Sequence, residues 1–91
     1  MTDAPSALEP SGGQGQPILD RLAFERLTAA HRRELKLHCY RMMGSLHEAD
    51  DLVQDTFLRA WRARSEFDGR GSIRGWLYMI ATNTCLNAIK S

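Results

Sequence analysis

From Ile18 onward the chain has no proline; all three of its prolines fall within the first 17 residues. It also lacks the period-two alternation of a half-buried strand, and without breakers or strands an apolar pattern reads as helix. Cysteine is scarce. Cys39 and Cys85 are the only two, too few for a disulfide framework, and both fall in apolar-patterned segments where a free thiol packs as a small hydrophobe. No apolar run approaches the ~20 residues of a membrane span, and no charged-then-apolar leader opens the chain. These absences point to a reduced, cytoplasmic protein. Charge of one sign is missing as well: the formal net charge is +1, so bulk electrostatics selects no partner.

Residues 1–17, MTDAPSALEPSGGQGQP, hold three of the seven glycines beside the prolines. That composition predicts a disordered leader, followed by one small domain over 18–91. The first helical stretch covers about Leu19 to Met43, with a break near Ala30–His31. Leu22, Leu27, Leu35, Cys39 and Met42 line one side. Gly44 is a stop signal, because glycine tolerates the left-handed conformation after a helix. Ser45-Leu46-His47-Glu48 has the form of a capping box and opens a second helix. Its Ala49, Leu52, Val53, Thr56, Phe57 and Ala60 recur at three and four, a core-facing stripe. That helix ends near Phe67, before the loop chemistry of Asp68-Gly69-Arg70-Gly71. Ser72 caps a third helix with a main stripe of Ile73, Trp76, Leu77, Ile80, Ala81, Thr84 and Ala88. A weaker stripe holds Tyr78, Cys85 and Ile89. The expected fold is an all-α, compact three- to four-helix bundle.

The balanced total charge hides segregation. His47 to Asp55 contains four acids (Glu48, Asp50, Asp51, Asp55) and no lysine or arginine. From Arg59 to Ser91, six basic residues face two acids, and from Arg26 to Arg41 five face one, Glu34. Acids early and bases late in a helix complement its dipole, which accounts for part of the second helix. It does not account for Arg70 and Arg74, which lie at or before the N-terminus of the third helix, where cations are disfavoured. Phosphate is the counter-charge this placement suggests. On the solvent side of the second helix Asp51, Asp55, Leu58 and Arg62 share a line, with Gln54 and Trp61 alongside. Acids around an exposed leucine suit a basic partner: the leucine supplies burial and the acids orientation. A solvated face with one stray leucine has the same pattern.

The segments HRRELKLHCYRMMGS and HEADDLVQDTFLRAWR, a short glycine loop, and GWLYMIATNTCLN resemble, in order and spacing, region 2 of the sigma-70 family of bacterial transcription initiation factors. The likeness is greatest to the extracytoplasmic-function (ECF) group and runs from about Phe24 to Ser91. It implies an RNA polymerase-binding, DNA-binding protein that is not an enzyme and needs no cofactor. By this resemblance Asp51, Gln54, Asp55, Leu58 and Trp61 would dock on a coiled coil of the polymerase β′ subunit. Phe67 to Asn83 would engage the promoter −10 element and help melt it. There Trp76 and Tyr78 would offer a surface to unstacked bases of the non-template strand. Arg70 and Arg74 would supply charge, Asn83 would read a base edge, and Arg59, Arg62 and Arg64 would follow duplex phosphates. Stacking is worth ~1–3 kcal/mol per base.

Trp76 shares a stripe with Ile80, where a tryptophan serves the core as readily as a base. Asn83 can equally be a solvated helix residue. Met79 stands where the family pattern has a basic residue. An anti-sigma factor is a further implied partner. The helical domain that reads the −35 element in this family is absent from this chain, so the expectation is an N-terminal piece of a longer factor. The wording HCYRMMGS resembles a subgroup with an additional C-terminal regulatory domain. The competing reading is a helical interaction module, antagonist-like, that binds polymerase without recognising DNA. Nothing supports an enzyme: there is no nucleophile–base pattern or phosphate loop, and His31, His38 and His47 lack metal spacing.

Overall fold

The computed structural model describes residues 20–67, Gly69 and 71–91. The leader at 1–17, the start of the first stretch at Leu19, and Asp68 and Arg70 lie outside the described residues.

Four α-helices, and no strand, are present among those residues: α1 (Arg21–Ala29), α2 (Arg32–Met43), α3 (Leu46–Arg62) and α4 (Ile73–Lys90). A 3-10 turn, Arg64–Glu66, extends the end of α3. The expected break falls between α1 and α2, where the His31 N–H donates to the Thr28 carbonyl at 3.0 Å. Short polar side chains start three helices by accepting a backbone N–H left without a partner in the first turn. Asp20 Oδ1 accepts from Leu22 at 3.1 Å, Ser45 Oγ from Glu48 at 3.2 Å, and Ser72 Oγ from Gly75 at 2.9 Å. Helix α2 stops at Gly44, whose φ of 77° is left-handed and whose N–H reaches the Tyr40 carbonyl at 2.7 Å.

Helices α2, α3 and α4 surround the core. Leu35 and Cys39 enter it from α2; Ala49, Val53, Phe57 and Ala60 from α3; Leu77, Ala81 and Cys85 from α4. Ala49, Ala60, Ala81 and both cysteines are fully buried, and these small residues let the helices pack closely. The buried hydroxyls of Thr28, Thr56 and Thr84 each donate to a carbonyl four residues back, at 2.7 to 2.9 Å, so none is left unsatisfied. Burial, with Cys85 beside it, pushes the Cys39 thiol up to about 12, which keeps it protonated and unreactive.

The expected apolar side of the first stretch needs one correction. Leu22 is 63% exposed, while Phe24 is buried. Helix α1 is only nine residues long. The turn that faces α3 is the one carrying the aromatic ring, which removes more apolar area from water than a leucine. On α4, Cys85 joins the main stripe in the core, and Ile89 of the weaker stripe is exposed.

Candidate functional site

Cross-helix contacts set the relative directions. Lys36 pairs with Asp50 at 3.0 Å and Arg32 lies 4.6 Å from the Phe57 ring, so α2 and α3 run antiparallel. Glu34 meets Arg74 and Tyr78, and His38 meets Thr82, so α2 and α4 run in the same sense. The result is two separate candidate faces, one on α3 beside α1, the other on α4 beside α2.

On the first face Asp51, Gln54 and Leu58 are exposed. They are one helical turn apart in succession, so they stack along a single line. Asp50 is engaged by Lys36, whereas Asp51 has no ion pair among the described residues. Asp55 pairs with Arg59 at 3.2 Å along the same helix. Both side chains are more than 40% exposed, so this pair is worth well under ~1 kcal/mol and a partner's cation can displace it. Trp61 is half-buried, its ring edge-on to Phe24 at 5.1 Å. The Arg64 guanidinium lies over it at 3.6 Å, and Arg64 Nη1 donates to the Trp61 carbonyl at 2.6 Å. Trp61 thus forms a wall rather than a free tip. The wall belongs to an open groove of 290 Å³ lined by Arg21, Phe24, Glu25, Gln54, Phe57, Leu58 and Trp61.

On the second face the placement of Arg74 has an internal explanation. The Glu34 carboxylate accepts from Arg74 Nε at 2.8 Å, so the counter-charge that sequence reasoning assigned to phosphate is an acid from α2. The same carboxylate accepts from Tyr78 Oη at 3.2 Å and sits 2.6 Å from His31 Nδ1. The hydrogen bond with His31, then that with Arg74, holds Glu34 below the usual carboxylate range. Desolvation, then Glu34, raises the Tyr78 phenol. The Tyr78 ring lies 4.9 Å from the His38 ring and 4.9 Å from the Arg74 guanidinium. Trp76 is half-buried and tilted against Phe67 at 5.3 Å. Asn83 is exposed, as are Arg59 and Arg62; Arg64 is turned back onto Trp61. Arg70 lies outside the described residues.

Four residues that organise these faces escaped the sequence reading: Phe24, His31, Glu34 and His38. Glu34 carried one signal, as the single acid in an otherwise basic run. His38 carried none, because its partners Thr82 and Tyr78 lie on another helix; His31 is three residues from its partner Glu34, a local spacing that could have been read.

These features define a helical binding module with an acidic, leucine-centred face and a basic, aromatic one. The chain belongs to the sigma-70 region 2 family, whose model matches residues 27–91. It is 52% identical over 85 residues to the ECF RNA polymerase sigma factor SigG of Mycobacterium tuberculosis, covering 93% of this chain and 23% of that protein. It is 37% identical to the ECF RNA polymerase sigma factor SigW of Bacillus subtilis, covering 78% of this chain and 38% of the relative. With the RNA polymerase sigma factor NccH of Alcaligenes xylosoxydans xylosoxydans it shares 36% identity over 91% of this chain and 44% of that protein. The chain thus spans less than half the length of each of these three relatives.

Proposed function

We propose that this domain joins RNA polymerase to promoter DNA at transcription initiation, using its two faces for the two partners. The α3 face docks on a coiled coil of the β′ subunit. Asp51 and Asp55 pair with its cations, Gln54 hydrogen-bonds, and Leu58 fills an apolar gap beside the Trp61 wall. The α4 face, with the loop before it, receives the −10 non-template strand. Arg74 and Arg70 meet phosphate, Tyr78 and Trp76 present ring surface, Asn83 reads a base edge, and Arg59 and Arg62 follow duplex phosphates, joined by Arg64 on leaving the Trp61 ring. The observation that carries this reading is the exposed line Asp51–Gln54–Leu58 beside an open groove. An apolar atom flanked by acids at a cavity edge is what a basic helical partner would fit. The proposed site of action is the cytoplasm, and an anti-sigma factor covering the same α3 face is a proposed regulator. No helix among the described residues is long and apolar enough to cross a membrane.

One observation favours the antagonist-like alternative. Arg74, Trp76 and Tyr78 each already have an intramolecular partner, so the α4 face can be complete without DNA. Two assays separate the readings. Reversing Asp51 and Asp55 to lysine should abolish capture by β′ while the helical circular dichroism stays intact; unchanged capture removes these residues from the interface. Fluorescence anisotropy with single-stranded −10 non-template oligonucleotides should show sequence-dependent binding that weakens with salt. Absence of binding with β′ capture retained would favour the alternative.

A further inference from the structure

Glu34 belongs to neither candidate face by sequence, yet it touches the central residues of the second. Its Oε1 accepts from Arg74 Nε at 2.8 Å and from Tyr78 Oη at 3.2 Å, and its Oε2 is 2.6 Å from His31 Nδ1. Its side chain is about one-third exposed, against 58% for Arg74. The acid therefore sits beneath the arginine rather than beside it in open solvent. The contact uses one of the five N–H donors of the guanidinium, which leaves a fork for a phosphate. It also fixes the Arg74 guanidinium over the Tyr78 ring, while the His38 ring flanks that ring.

We infer that Glu34 is a positioning residue for nucleic acid, an α2 carboxylate that pre-orders the Arg74 fork and the Tyr78 ring for a single strand's phosphate and base. This inference rests on the DNA-binding part of the proposed function. Arginine and tyrosine on an exposed helix sample several rotamers, and a ligand that must order them loses affinity. Holding both through one carboxylate moves that cost from binding to folding. The geometry runs against simple electrostatics, since a carboxylate near a phosphate site repels the ligand. The sign of the effect is therefore decisive.

The test is fluorescence anisotropy of the chain with one single-stranded −10 oligonucleotide and its duplex, at low and high salt. Variants are Glu34→Ala and Glu34→Gln, with thermal unfolding in parallel. Glutamine keeps an oxygen acceptor for Arg74 Nε and Tyr78 Oη but removes the charge. Alanine should weaken single-strand binding about tenfold, with less effect on the duplex and a loss that persists at high salt. Glutamine should restore affinity to within about twofold of the wild type, because the retained acceptor is what positioning requires. Tighter binding by both variants, fading with salt, would make Glu34 only a repulsive charge and overturn the inference. Equal loss on single strand and duplex, tracking a lower melting temperature, would reduce it to a structural contact. Wild-type protein that binds no oligonucleotide would sink the DNA reading itself, and this inference with it. Wild-type binding with an unaffected alanine variant would sink the inference alone.

Discussion

Glu34 should also contribute to the acid response of the domain. Its hydrogen bonds to His31 and Arg74 hold the carboxyl below its usual value of 4.5. A carboxyl depressed in the folded state stabilises above its unfolded value, and that contribution is lost as pH falls through the folded one. The contact between α2 and α4 should therefore be at full strength above about pH 4.5 and weaken only below it. Urea unfolding at several pH values should show stability dropping in that acid window. In Glu34→Gln the drop should be shallower, since glutamine does not titrate; a slope unchanged by the substitution would assign the acid response to other carboxylates. Cys39 behaves oppositely in sign. Its raised value leaves the folded thiol neutral where an unfolded thiol would ionise, so it contributes nothing to the acid limb.

At the scale of the element, boundaries rest on single residues. An alanine at Gly44 would meet no atom within 4 Å, so the cost of Gly44→Ala is purely conformational, set by the φ of 77°. We expect a loss of about 1 kcal/mol, with Gly44→Asn losing less because asparagine visits the left-handed region more readily. Chemical denaturation reads both; an alanine variant as stable as the parent would mean the α2–α3 turn relaxes to another conformation. Such boundaries were legible in the sequence because they are local. Gly44, Ser45 and Ser72 each act within four residues of themselves, as did the three-and-four spacing that put Val53, Phe57, Leu77 and Ala81 in the core. Leu22 misled because a nine-residue helix has room for more than one apolar face, and the packing of α3 chose Phe24. The Glu34–Arg74–Tyr78 cluster was not legible. Its members are 40 and 44 residues apart, and they meet only because α2 and α4 run in the same direction, which no local pattern encodes.

At the scale of the molecule, the antiparallel packing of α3 against α2 and the like direction of α2 and α4 put the two faces on different pairs of helices. The acidic line belongs to α3 and the groove wall of α1; the ring and guanidinium cluster belongs to α4 and α2. The two centres have no side chain in common: Asp51, Gln54 and Leu58 are not in the cluster around Glu34, and Arg74 and Tyr78 do not line the α3 groove. Among the described residues, contact between the proposed sites is confined to the exposed Asp55–Arg59 pair and to Arg64 on Trp61. Substitutions at sites without common partners act additively, and the one pair Asp55→Lys disturbs, with Arg59, is exposed and weak, so the two activities should be separable in both directions. Asp51→Lys with Asp55→Lys should remove β′ capture and leave single-strand affinity the same or slightly higher, since two acids become two bases on a molecule that binds a polyanion. Tyr78→Ala should weaken single-strand binding more than duplex binding, by up to about tenfold for one lost stacking partner, and leave β′ capture unchanged. Measuring both ligands with both variants and their combination closes the cycle. Combined losses that equal the sum of the separate ones would mean two independent faces on one bundle. A charge-reversed α3 that also loses the single strand, with its helix content intact, would mean that α3 transmits its state to α4 through the shared core of Val53, Phe57, Leu77 and Ala81.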